Sequence, residues 1–501
     1  MHRFKTLLPF LLIGLFVFTY TVIRAWKLDI TADEASTVMN YATNTWNEVF
    51  TNINQPSANN HILNTILIKI FGLVFGYQTF AVRIPNLLAL IVYILASFRI
   101  VNLLFVSNSL RLFSFTILVC NPYLLEMFGL ARGYGLSIAF MLMSLYYLLQ
   151  YFSVKQSTTY LGYSFFFLIL SVYGNFTTIN VWLSYVGVLT LFHLFIYKQK
   201  VIKVAAIVLG FTVVLTLICW EPLRINIKHK QFYFGGTNGF SYDTFRELFR
   251  FLNYDNFIDA NYVVYMPGIF MAILLLSSLV FFNIFKSDIA KVSRLGAISG
   301  ILFVIYSSIC LQFVLLKTPV PLGRTSLFIY PILLLNLFTL CSTLINYFAV
   351  NANVTKIIKQ FLLIFCIFII AHDVYAYQLN RSSNWTYNAN DREILDRIKV
   401  DAKGRNLTPD QYRTSIHWVY GASFHYYNKF YPDYKELECI ELNYGPESIH
   451  NSSLYFVIVD RDWNGRSNLS QDMTRLDSFG PSRAELYLYK PVWDSIQHLN
   501  K

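Results

Sequence analysis

Two carboxylates stand side by side soon after the first apolar segment of the chain. Asp33 and Glu34 lie in the stretch ITADEASTVMNY, residues 30–41. Neighbouring acids of this kind often mark the start of a helix. A carboxylate can also act as a general base toward a hydroxyl group, which contributes roughly 10² to 10⁴ in rate. The pair therefore has two interpretations, a structural turn or a catalytic group.

Side chains that can bind phosphate occur in several separate segments, as His61, Arg83, Arg132, Lys230 and Arg324. Arginine and lysine bind phosphate, and arginine can hold two oxygens at once. Each position also has a plainer interpretation. Arg83 and Arg132 could place their charges at the membrane surface, Lys230 could face lipid headgroups, and His61 could be a structural hydrogen-bonding group or, less readily, a metal ligand.

The chain that positions these residues has the composition of an integral membrane protein. Of 501 residues, 55% are hydrophobic, 18% are aromatic and only 14% are charged, and the mean hydropathy is +0.46. The net charge of +12 does not indicate nucleic-acid binding, because no RNA- or DNA-binding signature occurs and many basic residues fall in short loops between apolar runs. The cysteine spacing indicates neither a disulfide framework nor a metal site.

Apolar runs predict about eleven membrane-spanning helices, since about 20 apolar residues cross a bilayer core. Residues 156–197 form a double-length run with Gly174 and Asn175 near its middle, which predicts two spans joined by a tight turn. The other predicted spans are residues 7–23, 84–98, 112–128, 134–154, 204–220, 260–285, 295–316, 327–349 and 361–376.

The tail changes character and predicts a small α/β domain outside the membrane. A candidate helix, NDREILDRIK, precedes four candidate strands, TSIHWVYG, ECIEL, SLYFVIVD and AELYLYKP. The expected fold class is therefore a polytopic α-helical membrane protein with two domains, a membrane domain over residues 1–376 and an extracytoplasmic domain over 377–501.

Lys and Arg in short loops predict the orientation of the spans, because such residues concentrate on the cytoplasmic side. One set of alternate loops contains Arg3, Lys5, Arg111, Lys155, Lys198, Lys200, Lys203, Lys286, Lys291, Arg294, Lys356 and Lys359. The N-terminus is then cytoplasmic, and the loops over 27–83 and 221–262 face outward together with the tail. The acidic pair and the phosphate-binding candidates thus share the outer face, where a charge costs much less than the roughly 3 kcal/mol of the bilayer centre.

An anionic substrate anchored in the membrane suits such a face, and a polyprenyl-phosphate sugar has these properties. Its tail contributes about 0.8 kcal/mol for each buried CH₂, so the substrate stays in the membrane and the enzyme must bind it at the interface. The absence of a glycine-rich phosphate loop favours a lipid-linked donor over a nucleotide sugar.

Four sequence blocks resemble the N-terminal blocks of GT-C fold glycosyltransferases, in particular protein O-mannosyltransferases, lipid A aminoarabinose transferases and their bacterial homologues. The blocks are ADEAST, NNHILNTILIKIFG, AVRIPNLLALIVYILASFRI and NPYLLEMFGLARGYGLSIAFMLMSLYYL. The resemblance covers roughly residues 20–200. It implies the GT-C fold and a location in a bacterial inner membrane.

The resemblance also implies roles for individual residues. Asp33 would be the essential loop carboxylate, activating the acceptor or holding a divalent metal ion, and Glu34 would assist it. Arg83 would support the donor phosphate or the loop itself, and Glu126 falls where relatives can carry a second outward acid. His61 stands where relatives often read His-Pro-Pro, but isoleucine and leucine replace the prolines here.

The expected activity is inverting transfer of a sugar from a polyprenyl phosphate to a protein, lipid or glycan hydroxyl. Phosphate is already a competent leaving group, so no cofactor is required and a metal ion is optional. The expected partners are the lipid-linked donor, membrane lipids and the acceptor, with no nucleic acid. Two alternatives are a ligase-type transferase of whole glycans, expected to use a late external loop, and a flippase or transporter, expected to bury ionisable residues in mid-span.

Overall fold

The computed structural model describes residues 2–53, 55–153, 156–197, 200–254, 265–284, 289–347, 352–442, 453–459 and 472–499. Several sequence predictions lie outside these ranges. They include the cytoplasmic placement of Lys155, Lys198 and Lys286, the end of the loop predicted over 221–262, the two ends of the span predicted over 260–285, and Asp460 at the end of a candidate strand.

Long apolar helices make up most of the described chain. Eight of them are long and apolar enough to cross a membrane, and a bent pair would make nine. Two further helices, Thr158–Gly174 and Met266–Ile284, are shorter or only partly described. When they are included, each predicted span overlaps one helix or the bent pair. Their bounds are His2–Lys27, Thr79–Leu104, Asn108–Cys120 with Pro122–Gly129, Gly133–Ser153, Thr158–Gly174, Ile179–Leu191, Val201–Lys228, Met266–Ile284, Ile289–Leu316, Ile329–Tyr347 and Ala352–Ala376. The chain is a polytopic α-helical membrane protein.

The two interruptions in these helices have local causes. The helices on either side of Asn121 meet at 53°, because Asn121 has an extended backbone before Pro122 and its side chain accepts the Leu124 N–H. Asn175 likewise ends the helix Thr158–Gly174 in an extended conformation and caps the next turn. The predicted turn at Gly174 and Asn175 is present.

Short helices fill the connections. The first long connection contains Ala32–Thr37, a π-helical turn Val38–Ala42, Trp46–Thr51 and Ile62–Phe75, and a later connection contains the π-helical turn Phe240–Arg246 and Glu247–Leu252. A 3-10 turn over Gly323–Ser326 precedes Ile329–Tyr347. These connections carry most of the predicted site residues.

The described chain divides into two compact units. The first unit comprises Met1–Val22, Thr45–Leu67 and Ile84–Tyr377, and the second comprises Ile23–Asn44, Ile68–Arg83 and Gln378–Lys501. The proposed domain boundary at residue 376 coincides with the end of a long helix. The second unit also includes two N-terminal segments, so the acidic pair belongs to the same unit as the tail.

The tail forms a five-stranded sheet with helices, as expected for an α/β fold. The strands are β1 (Thr414–His417), β2 (Cys439–Leu442), β3 (Tyr455–Val459), β4 (Met473–Phe479) and β5 (Ala484–Tyr489), in the order β2-β1-β3-β5-β4. Strand β1 pairs parallel with β2 and β3, whereas β5 pairs antiparallel with β3 and β4. The accompanying helices are Asp391–Gly404, Trp418–Phe430 and Lys490–Leu499.

One strand prediction in the tail is wrong in its second half. The candidate strand TSIHWVYG stops at His417, and Trp418–Phe430 is a helix. The His417 side chain caps this helix by accepting the Val419 N–H. The apolar and aromatic residues after His417 therefore pack along one helix face, with Tyr420 and Phe424 buried four residues apart.

Candidate active site

Glu34 is fully buried and holds the start of its own helix. Thr31 caps the helix Ala32–Thr37 by accepting the Glu34 N–H, and Glu34 Oε2 accepts the Thr31 N–H at 2.9 Å. The two carboxylate oxygens of Glu34 also accept from Arg83, with Oε1 2.8 Å from Nε and Oε2 2.6 Å from Nη2. A buried, bidentate ion pair of this kind fixes the geometry of both side chains.

Arg83 uses all five of its N–H groups on the loop. Besides the two bonds to Glu34, Nη1 donates to the carbonyls of Ala25 and Leu28 at 2.9 Å each, and Nη2 donates to the carbonyl of Asp29 at 2.8 Å. Of the two roles suggested for Arg83, these bonds favour supporting the loop. The same holds for Glu34, whose carboxylate is occupied as an anchor.

Asp33 occupies the second position of this helix and is half-buried. The tail holds the chain just before it. Tyr427 Oη accepts the Ile30 N–H and Asn388 Oδ1 accepts the Ala32 N–H, both at 2.9 Å. Asp33 is thus placed by backbone contacts within the second unit.

A cavity of about 450 Å³ lies within the first unit, lined by both apolar and polar residues; it is called the polar cavity because its lining includes Arg324 and several amides. Four connections surround it: residues 57–62, 173–180, 231–234 and 318–325. Two of these are joined by main-chain bonds, since Gly236 and Val320 exchange N–H···O bonds of 2.9 and 3.0 Å. Thr177 Oγ1 also donates to the Thr325 carbonyl at 3.0 Å. The predicted site residues His61 and Arg324 both line this cavity.

Arg324 reaches the cavity from the 3-10 turn. Its Nε donates to the Tyr134 hydroxyl at 3.1 Å, and its guanidinium carbon lies 5.4 Å from the ring centre of Phe234. Gly323 before it has φ +55°, and a β-carbon there would lie 2.4 Å from the Phe251 ring. Only glycine fits at that position without strain, so the turn that presents Arg324 depends on it.

His61 is held against two helix ends. Its Nδ1 lies 3.0 Å from the Gly174 carbonyl oxygen, and its ring packs edge-on against Tyr134 with 4.6 Å between ring centres. A β-carbon at Gly133 would lie 2.5 Å from the His61 β-carbon, so this close approach requires glycine. Burial lowers the pKa of His61 well below its usual value, and the charges of Arg132 and Arg324 lower it further. Both effects favour the neutral form of the imidazole.

The remaining predicted residues of the first unit are not among the described lining of the cavity. Arg132 is fully buried and donates to the carbonyl and the side-chain oxygen of Asn59. Glu126 is fully buried and accepts from the Tyr254 hydroxyl at 2.6 Å. Lys230 is exposed, next to the lining residue Gln231.

Sequence reasoning missed the uncharged part of the cavity. Tyr134, Asn180 and Gln312 line it, and Asn180 Oδ1 accepts from Gln312 Nε2 and Ser308 Oγ at 2.8 Å each. Asn180 and Gln312 lie inside predicted spans, where polar side chains are costly unless they are paired. The cost of placing these uncharged polar side chains in a membrane span could have identified this part of the cavity, but a search for charged residues does not detect it.

An apolar cavity of about 780 Å³ adjoins the polar one. Aliphatic and aromatic side chains of the helices Thr158–Gly174, Ile179–Leu191 and Val201–Lys228 supply most of its lining. Phe176, Ile179 and Leu223 line both cavities. The two cavities are therefore neighbours, with apolar residues lining the larger one and Arg324 lining the other.

Within the described residues, no group of three or more His, Cys, Asp and Glu side chains is placed to hold a metal ion.

No protein-family model and no curated protein matches the chain. Among solved structures, the Archaeoglobus fulgidus oligosaccharyltransferase, tethered to an acceptor peptide containing the NVT sequon, is similar with a TM-score of 0.50 and 11% identity, over 91% of this chain and 69% of its own. The chain has the GT-C fold. This confirms the fold implied by the sequence blocks.

Two structures of ArnT from Cupriavidus metallidurans are also similar to this GT-C chain. The apo structure has a TM-score of 0.46 at 11% identity, over 98% of this chain and 99% of ArnT. The structure bound to undecaprenyl phosphate has a TM-score of 0.41 at 10% identity, over 97% and 98% of the two chains.

Proposed function

We propose that the protein is an inverting glycosyltransferase that moves a sugar from a polyprenyl-phosphate donor to an acceptor hydroxyl at the outer face of a bacterial inner membrane. The observation that carries this proposal is the pair of adjoining cavities. A lipid phosphate has the same two-part character, an apolar tail and an anionic head, and the two cavities offer matching surfaces in contact with each other.

The apolar cavity takes the part of the polyprenyl tail nearest the phosphate. Three helices contribute most of its lining, and it shares Phe176, Ile179 and Leu223 with the polar cavity. Burial of apolar area stabilises a bound tail in proportion to the contact. The tail thereby positions the phosphate beside Arg324.

Arg324 stabilises the departing lipid phosphate. Its guanidinium is held by the Tyr134 hydroxyl and the Phe234 ring before substrate arrives, so little reorganisation is needed as negative charge develops on the leaving group. Arg132 adds positive charge from a fully buried position.

Asp33 has the role of the base that removes the acceptor proton. Inversion requires the hydroxyl to attack from the side opposite the phosphate, and a carboxylate is a suitable base for it. Glu34 and Arg83 then act as positioning residues, because their side chains are committed to each other and to the loop. Lys230 and Glu126 take no part in the proposed reaction.

The decisive experiment measures transfer of labelled sugar from polyprenyl-phosphate donors to endogenous acceptors in membranes with matched protein levels. We expect Asp33→Asn to lower transfer by about 10² or more and Arg324→Ala to lower it strongly. Arg224→Ala is the matched control, because Arg224 is exposed and pairs with Glu221 at 2.5 Å, and it should transfer normally. Normal transfer by Asp33→Asn would contradict the role of Asp33 as the base, and no transfer by the wild type would favour lipid-linked sugar transport.

A further inference from the structure

The lining of the polar cavity contains several side-chain amides besides Arg324. Side-chain amides, such as those of Asn60, Asn180 and Gln312, line it together with the ring of Tyr134 and the aromatic run over 232–234. Amides can donate and accept at once, and aromatic faces pack against apolar ring faces. This combination suits a ligand with many hydroxyl groups.

His61 is one of the lining residues, and one of its ring nitrogens has no hydrogen-bond partner among the described residues. A carbonyl oxygen only accepts, so the 3.0 Å contact between Nδ1 and the Gly174 oxygen requires the proton on Nδ1. Nε2 of the neutral ring then carries a lone pair. Nε2 is buried and has no hydrogen-bond partner among the described residues, and the His61 side chain is 6% exposed.

A buried acceptor without a partner is costly unless a ligand satisfies it. A hydroxyl group can donate to Nε2, whereas a phosphate or carboxylate oxygen offers only lone pairs. The positive charges of Arg132 and Arg324, which disfavour protonation of His61, equally disfavour an ammonium group at the same place.

We propose that the polar cavity binds the sugar of the donor, and that this sugar is an uncharged polyhydroxyl sugar with one hydroxyl donating to Nε2 of His61. This inference rests on the proposed function and deepens it by naming the substrate class. It gives His61 a role in holding the sugar, in place of the phosphate contact expected from sequence.

A series of donors tests the inference on the wild-type enzyme. The donors are polyprenyl phosphates that carry a neutral hexose, deoxy forms of this hexose that each lack one hydroxyl, or an amino sugar. We expect the neutral hexose to be transferred best and one deoxy donor to lose about tenfold or more in kcat/KM, the usual cost of leaving a buried partner unsatisfied. Preference for the amino sugar, or equal transfer of all deoxy donors, would overturn the inference while leaving transferase activity intact.

Two substitutions of His61 separate ligand binding from structural support. Asn places an N–H group where Nδ1 donates to Gly174, and Gln places an oxygen near the position of Nε2. We expect His61→Asn to lose activity on the full hexose and to show no further loss on the sensitive deoxy donor. We expect His61→Gln to keep part of the preference, with Arg224→Ala, which changes an exposed side chain paired with Glu221, as the unaffected control.

The opposite pattern, full activity in His61→Asn with its deoxy preference unchanged, would show that only the bond to Gly174 matters and would refute the inference. Unfolding temperatures of the variants identify any loss of fold, and the wild-type donor series decides the question if both variants fail to fold. Failure of the wild type to transfer any sugar would contradict the proposed function and this inference together.

Discussion

Glu34 and Asp33 are neighbours in sequence, but their different surroundings suit them to different roles. Glu34 is fully buried, closes a capping box and forms a bidentate pair with Arg83. Asp33 is half-buried on the same helix. The sequence alone could not assign these different environments, because both acids fit the first turn of a helix equally well.

Replacing Glu34 should cost stability before it affects chemistry. Glu34→Ala would leave the Arg83 guanidinium buried without its carboxylate, which typically costs about 3 to 5 kcal/mol. We expect a large fall in the unfolding temperature of the purified protein in detergent. Asp33→Asn should change that temperature far less, and equal falls for the two variants would contradict the division of roles.

The second unit, which contains the tail, also contains two buried acids, Asp29 and Asp391, near the helix Ala32–Thr37. Asp29 accepts from Arg392 and from the Tyr427 hydroxyl. Asp391 is fully buried and accepts from Asn388 Nδ2 at 2.8 Å, while its Oδ1 has no hydrogen-bond partner among the described residues. Burial, and after it the charge of Asp29, raises the pKa of Asp391 well above its usual value of 3.8.

This raised pKa predicts a pH-dependent stability. Above about pH 3.8 the unfolded state releases the Asp391 proton while the folded state keeps it, so the contribution of Asp391 to stability falls as pH rises toward the folded pKa. Asp391→Asn removes this effect. The unfolding temperature of the variant minus that of the wild type should therefore be more positive at pH 8 than at pH 5.

The matched control is Asp433→Asn, because Asp433 is an exposed acid in the same unit. A difference between Asp391→Asn and the wild type that shrinks as pH rises would contradict a raised pKa at Asp391.

The length of the apolar runs was enough to predict the long elements. All predicted spans overlap helices, and the turn at Gly174 and Asn175 lies where those residue types indicated it. The helix after His417 was missed because its aromatic residues also suit a strand. The strand β4 (Met473–Phe479) was missed because alternate apolar positions are few in its sequence.

The candidate site was only partly predictable, for a physical reason. Arg324 was predicted as a site residue from its charge, and Asp33 and His61 were predicted with the help of a family resemblance. The partners of a buried group depend on contacts between distant segments, such as Glu34 with Arg83 or His61 with Gly174. No local pattern specifies those contacts.

The orientation of the whole chain in the membrane is a prediction from its loop charges. Lys435 in the tail and Lys203 near the start of the helix Val201–Lys228 are both exposed, so a cysteine at either position is accessible to a reagent on its own side. An impermeant thiol reagent should label Lys435→Cys in intact cells and label Lys203→Cys only after permeabilisation. Wild-type protein gives the background from native cysteines, and the reverse labelling pattern would contradict a cytoplasmic N-terminus.

Seating of a lipid phosphate across the two adjoining cavities is most directly tested by photo-crosslinking with a polyprenyl phosphate that carries a diazirine near its phosphate. We expect adducts on apolar-cavity residues such as Trp182 and Leu209, with labelling reduced by unlabelled polyprenyl phosphate and by Arg324→Ala but not by Arg224→Ala. Adducts spread over other lipid-facing helices, or equal competition by the uncharged polyprenol, would contradict binding of a lipid phosphate at this site.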